Sequence, residues 1–181
     1  QNFLTAANPN PKIEECSLLY DEHTFTTDIE KYINTIYNST NDYEIFDLGD
    51  IKLLSGGVLE SAKLAYKTYG TLNANCDNVV LLPTFYTGTH KRNEGFFGSG
   101  RAIDPNTHFV VSINMFGNGL SSSPSNTPPP HDGPHFPLIT LWDNVACQHR
   151  LLTERLGVKR IALVTGWSMA GCQAYQWGAQ F

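Results

Sequence analysis

The chain has 181 residues, 41% of them hydrophobic and 16% charged, which suits one principal folded core and excludes a wholly disordered chain. Its formal net charge of -5, with no dense run of lysine or arginine, leaves no electrostatic footprint for nucleic acid or an anionic membrane surface. Its apolar runs are strand-sized, well short of the roughly 20 residues of a membrane-crossing helix, so no membrane span is expected.

Residues 1–42 read as an N-terminal extension. Asn8-Pro9-Asn10-Pro11 punctuates it, and one short helix is expected over Thr27–Tyr37, where Ile29, Tyr32, Ile33 and Ile36 recur at helical spacing. The start at Gln1 and the sequon Asn38-Ser39-Thr40 suit an exported protein. A cytoplasmic one is equally compatible, and localisation stays open between the two.

From Tyr43 the pattern turns to strands. Tyr43–Leu48 and Ala62–Tyr69 alternate as two half-exposed strands, whereas Val79–Leu82 and Phe109–Ile113 are continuous apolar runs, typical of parallel strands buried on both faces. A helix is expected from Thr140, because Thr140 and Asp143 form a capping box; Leu141, Val145, Leu152 and Leu156 share a face and Gly157 supplies the stop. A third buried-type strand, Ile161–Thr165, runs into Gly166-Trp167-Ser168-Met169-Ala170-Gly171 and then a helical segment over Cys172–Trp177. The fold class is therefore α/β, with a mostly parallel sheet flanked by helices.

A strand, a glycine-flanked serine and a helix in that order form the context of a nucleophile turn. A serine hydroxyl needs a base and preset donors for the charge on the attacked carbonyl. The tight turn lifts Ser168 from the sheet edge, Gly166 and Ala170 are small enough for close backbone approach, and the Met169 N–H at the helix start is the first oxyanion donor. The second donor is expected from the loop after Val79–Leu82, with Phe85 as the N–H and Tyr86 as the neighbour that could replace it. Tyr86 and Trp167 are expected to wall the substrate pocket. The plainer alternative is a loop serine that caps a helix.

Taken in order, Leu64-Ala65-Tyr66-Lys67-Thr68-Tyr69-Gly70-Thr71-Leu72-Asn73, Gly100-Arg101-Ala102-Ile103-Asp104, Phe136-Pro137-Leu138-Ile139-Thr140 and the serine turn resemble the homoserine O-acetyltransferase-like branch of the α/β-hydrolase fold. The resemblance covers about residues 43–181, the N-terminal half of that family's catalytic domain. It implies an acyltransferase that forms an acyl-serine at Ser168, with acetyl-CoA as donor, an alcohol as acceptor and no tightly bound cofactor. Met169 and Phe85 align with the family's oxyanion donors. Its acid and histidine lie beyond the serine, and the thirteen residues after Ser168 contain neither, so the rest of the domain is expected in a longer or second chain.

Three segments depart from the pattern: Asn114–Pro124, Trp142 in place of an arginine, and Pro83-Thr84-Phe85 in place of His-Ala-Leu. They leave the acceptor open between an alcohol and water, the latter making the protein a serine esterase. A non-catalytic interaction module is the third reading. His131-Asp132-Gly133-Pro134-His135 reads as a surface turn rather than a metal site, Gly117-Asn118-Gly119 is too short for a phosphate cradle, and His90 is expected as a solvated loop residue or at most pocket lining. Cys16, Cys76, Cys147 and Cys172 are expected to be buried free thiols.

Overall fold

The computed structural model describes residues 42–181; the helix expected over Thr27–Tyr37, the Asn38 sequon and Cys16 lie outside the described residues. The strands are β1 (Glu44–Lys52), β2 (Val58–Tyr69), β3 (Val79–Pro83), β4 (Phe109–Ile113) and β5 (Ile161–Val164). The helices are α1 (His90–Asn93), α2 (Leu141–Arg150), which continues as a π-helical turn over Leu151–Arg155, and α3 (Met169–Gln180). The sheet order is β1-β2-β4-β3-β5. β3 runs parallel to both β4 and β5, while β1–β2 and β2–β4 are antiparallel.

The continuous apolar runs are buried on both faces, as their composition demands. Val79 and Leu81 of β3 and Val111 and Ile113 of β4 join the core packed under Val145, Leu151, Leu152 and Trp177. The alternate residues Val80, Leu82 and Val110 point to the other face and pack with Phe97. Two strand expectations change. β2 is not half-exposed throughout: Leu64, Ala65 and Tyr66 are fully buried because β2 lies between β1 and β4. Among the described residues β5 pairs on one side, with β3, and Ala162 and Leu163 are exposed there.

The capping box at α2 forms as expected. Thr140 Oγ1 accepts from the Asp143 N–H at 3.3 Å, and Asp143 Oδ2 accepts from the Thr140 N–H at 2.8 Å. The other carboxylate oxygen accepts from the Leu54 N–H at 2.8 Å, so one side chain caps the helix and ties it to the turn between β1 and β2. Gly157 closes the helical run at φ 66°.

The thiols do not share one environment. Cys147 on α2 is buried, Cys76 is half-buried, and Cys172 is exposed on the solvent side of α3. Burial pushes the Cys147 thiol up to about 12, only partly offset by the Arg150 charge. The proton is held more tightly in the folded state, so this thiol takes away stability as pH rises from about 9, its ordinary value, toward about 12, and has no effect below that window.

Two outcomes follow. A thiol reagent at pH 8 modifies Cys147 only on unfolding; modification of native Cys147 at the rate seen in urea would contradict its burial. Thr140→Ala lowers the urea unfolding free energy by about 1 kcal/mol with an unchanged slope, the usual worth of an N-cap hydroxyl, and Asp143→Ala lowers it further because three hydrogen bonds are lost.

Candidate active site

β5 ends at Val164, and the Thr165 N–H still donates to the Leu81 carbonyl at 3.1 Å, which keeps the turn registered on β3. The chain must then reverse and start a helix within four residues. It does so through Ser168, whose backbone sits at φ 53°, ψ -121°, outside the usual basins of an L-residue. Such a conformation costs on the order of 1–3 kcal/mol and persists only where packing over-determines it.

That packing is the contact of Gly166 with Ala170. A β-carbon on Gly166 would overlap that of Ala170 and lie 3.0 Å from its carbonyl carbon, and one on Gly171 would lie 3.3 Å from the Gly166 oxygen. The small residues on each side of the serine are therefore steric requirements, and the alanine methyl takes the space that a side chain at residue 166 would need. Ser168 stands at the N-cap position of α3, yet its hydroxyl accepts no capping hydrogen bond, and the residue is exposed. The Met169 N–H is the first of the helix's unpaired donors and lies at its positive end.

The parallel register of β3 and β5 brings their C-terminal ends together, with Leu81 beside Val164. The loop after β3 is anchored at Thr84, which is fully buried. Its N–H donates to the Ile113 carbonyl at 2.9 Å, its hydroxyl accepts from the Met115 N–H at 3.0 Å, and its carbonyl accepts from Gln173 Nε2 at 2.9 Å. From the other side, Asn93 on α1 donates to the carbonyls of Leu82 and Pro83 and to Ser112 Oγ. Phe85 follows; its carbonyl accepts from the Gly88 N–H at 2.8 Å, and its ring lies 5.4 Å from the Arg92 guanidinium carbon. Among the described residues its N–H donates to no acceptor.

Tyr86 is 75% exposed beside Phe85, and Trp167 is 67% exposed beside the serine. Trp167 lines a cavity of about 230 Å³ with Leu82, Phe96, Ile103, Thr165 and Gly166, which Tyr86 does not border. A larger cavity of about 510 Å³ lies between the π-helical turn, β5 and α3 and includes neither Ser168 nor Phe85.

His90 is not a solvated loop residue: it is 1% exposed at the head of α1, where its N–H donates to Asn114 Oδ1 at 3.0 Å and its ring tilts against Tyr43. Of the other described histidines, His108 engages Thr107 and Asp104, His131 faces Glu60 at 4.0 Å, His149 stacks on Phe181, and His135 ends the short helical turn Gly133–His135.

The departures from the homoserine acetyltransferase pattern divide. Trp142 lines a cavity with residues 51–54 of the β1–β2 region, which includes no candidate site residue among the described residues. The Asn114–Pro124 segment is tied to β2, with Ser121 and Ser122 hydroxyls accepting from the Ala65 and Lys63 N–H groups. Pro83-Thr84-Phe85 does border the site. Sequence reading missed Gln173 and Asn93, although Gln173 carries a signal: it sits three residues after buried Ala170 and four before buried Trp177, a polar side chain on the core stripe of its helix.

Comparison with known proteins agrees with this architecture. The α/β hydrolase fold family model matches residues 77–181. The chain is 40% identical over 152 residues to the ethyl acetate hydrolase of Pseudomonas veronii, covering 82% of this chain and 44% of that protein. It is 37% identical over 158 residues to the homoserine O-acetyltransferase of Chlorobaculum parvum, covering 83% and 44%. The solved structure of the acetyl esterase MekB superposes with a TM-score of 0.75 at 41% identity over 77% of this chain and 41% of that one. The chain thus spans less than half the length of these relatives, which include acetyl esterases and homoserine acetyltransferases alike. With a strand-serine-helix turn on a sheet of this order, the chain belongs to the α/β-hydrolase fold family.

Proposed function

We propose that this chain supplies the nucleophile and oxyanion donors of a serine enzyme that takes the acyl group from a short acyl ester and passes it to water. Ser168 Oγ attacks the ester carbonyl, its proton passes to a general base, and the carbonyl oxygen takes the negative charge against the N–H groups of Met169 and Phe85. Collapse of this intermediate breaks the bond to the alcohol, which leaves with the proton. Water then attacks the acyl-serine and releases the carboxylic acid.

The observation that carries the reading is the strained backbone of Ser168 at the head of α3 with its hydroxyl free of a capping bond. A serine serving only as a helix cap needs no such strain and would make that bond. The 40% identity to an ethyl acetate hydrolase supports water as acceptor. None of the hydrogen bonds, ion pairs or ring contacts described above joins a histidine to Ser168, and the fold's chain order places acid and histidine after the nucleophile strand. We therefore assign both to the remaining part of the domain, in a longer or second chain.

A second reading keeps the same acyl-serine but uses acetyl-CoA as donor and an alcohol as acceptor. It is favoured by the landmarks shared with the homoserine acetyltransferases and the 37% identity to one of them.

The full-length protein is expected to hydrolyse p-nitrophenyl acetate, with acetate production independent of added alcohol, and Ser168→Ala is expected to lower kcat by about 10³-fold or more. A fluorophosphonate should label the wild type and not Ser168→Ala. Release of CoA from acetyl-CoA only when an alcohol is supplied would move the assignment to the second reading. Serine-independent turnover would sink both, and a protein without turnover or labelling would be a non-catalytic module.

A further inference from the structure

A buried hydrogen-bond chain crosses the molecule from α3 to α2, back to α3, and ends beneath the candidate oxyanion loop. Trp177 Nε1–H donates to Gln148 Oε1 at 2.8 Å, Gln148 Nε2 donates to Gln173 Oε1 at 2.6 Å, and Gln173 Nε2 donates to the Thr84 carbonyl at 2.9 Å. Gln148 and Gln173 are fully buried and Trp177 is 5% exposed. Two buried primary amides in an apolar core are costly to place, and each polar atom left unsatisfied there would cost about 1–3 kcal/mol.

The chain has one possible polarity. An indole nitrogen is a donor only, so it must meet the oxygen of Gln148; this turns the Gln148 NH₂ to Gln173 and the Gln173 NH₂ to Thr84. At the end stands a carbonyl, which can only accept. The Thr84 carbonyl belongs to the same peptide unit as the Phe85 N–H, and in a trans peptide the two point in opposite directions. Fixing the carbonyl inward on Gln173 therefore fixes the N–H outward. The Thr84 N–H and hydroxyl are pinned as well, to Ile113 and Met115, so the unit has little freedom to rotate.

We infer that Gln173 is a positioning residue for the oxyanion site: through the relay Trp177–Gln148–Gln173 it holds the Thr84–Phe85 peptide so that the Phe85 N–H is presented to a carbonyl attacked by Ser168. This rests on the acyl-serine reading above. It also gives α3 two duties, since the helix whose first turn carries the Met169 donor sets the second donor from its second turn.

The test compares Gln173→Met and Trp177→Phe with wild type and Ser168→Ala in the full-length protein. Four quantities are measured: kcat and KM for p-nitrophenyl acetate, inhibition by a trifluoromethyl ketone whose hemiketal oxyanion fills the same site, stoichiometry of fluorophosphonate labelling, and thermal midpoint. Gln173→Met keeps the side-chain volume but donates nothing. It is expected to lower kcat by about 10–100-fold, below the 10²–10³ of losing an oxyanion donor outright, with KM within about threefold. The inhibitor constant should rise by the same factor as kcat falls, with one fluorophosphonate still bound per chain.

Trp177→Phe removes the donor that sets the polarity together with part of the indole's core packing, which the thermal midpoint reads separately, and should produce the same paired change, several-fold smaller. If Gln173→Met does not fold, Trp177→Phe carries the test alone. The inference is overturned if a folded variant loses stability while kcat and inhibitor constant stay at wild-type values, or if kcat falls without a matching change in inhibitor binding. Loss of labelling and turnover in Ser168→Ala alongside wild-type kinetics in Gln173→Met would discard the relay and leave the acyl-serine reading standing. Full turnover in Ser168→Ala would remove the acyl-serine reading itself.

Discussion

The contact between Gly166 and Ala170 is the constraint on which the candidate site depends. A strand that must end against β3 and a helix that must start within four residues can be joined only if the chain folds back on itself, which brings residues 166 and 170 into van der Waals contact. That closure drives Ser168 to φ 53°. The strain, of order 1–3 kcal/mol, is offset by the pairing of β5 on β3 and the packing of α3 against α2, where Trp177 joins the main core.

Much of this is local, and was legible in the sequence for that reason. Continuous apolar runs identified β3 and β4 because both faces of each are covered, and the Thr140–Asp143 box located α2 because a cap is satisfied within four residues. Ile161–Thr165 has the same composition as β3, but among the described residues it pairs on one side, and no property of the segment itself says which strands pair with it. His90 was misplaced for a related reason. Its backbone is held by Asn114, 24 residues away, and a histidine two residues after a glycine has no local mark of that contact. Gln148 and Gln173 did carry a mark, since each falls on the buried stripe of its helix, but its meaning is clear only when both ends of the chain of hydrogen bonds are seen.

The landmarks that suggested the family serve architecture more than chemistry. Gly70, at φ 78°, admits no β-carbon because the Pro105 and His108 carbonyls lie against it. Asp104 folds its own loop: its carboxylate accepts from the Asn106 and Gly100 N–H groups, which hold it below the usual carboxylate range. Thr140 starts a helix. Such positions preserve the frame on which different acceptors can be served, which is why they point to a family whose members include both esterases and acetyltransferases without choosing between them.

Among the described residues, the part of the candidate site that is open to variation lies in the few positions near the turn and the loop after β3 that are not tied to the frame. Trp142 lies beside the β1–β2 turn, the Ser121 and Ser122 hydroxyls are spent on β2, and the Ser123 hydroxyl is spent within its own loop. What is left is Phe85, Tyr86 and Trp167. Their backbones are held by close-packed neighbours, by buried Thr84 and Gly88 around the loop and by the contact of Gly166 with buried Ala170 around the turn, while the side chains of Tyr86 and Trp167 are exposed. Under the acyl-serine proposal, a rigid backbone with exposed aromatic side chains would separate two properties in one site: the proposed donors are set by the core, and the exposed side chains beside them can change without disturbing them.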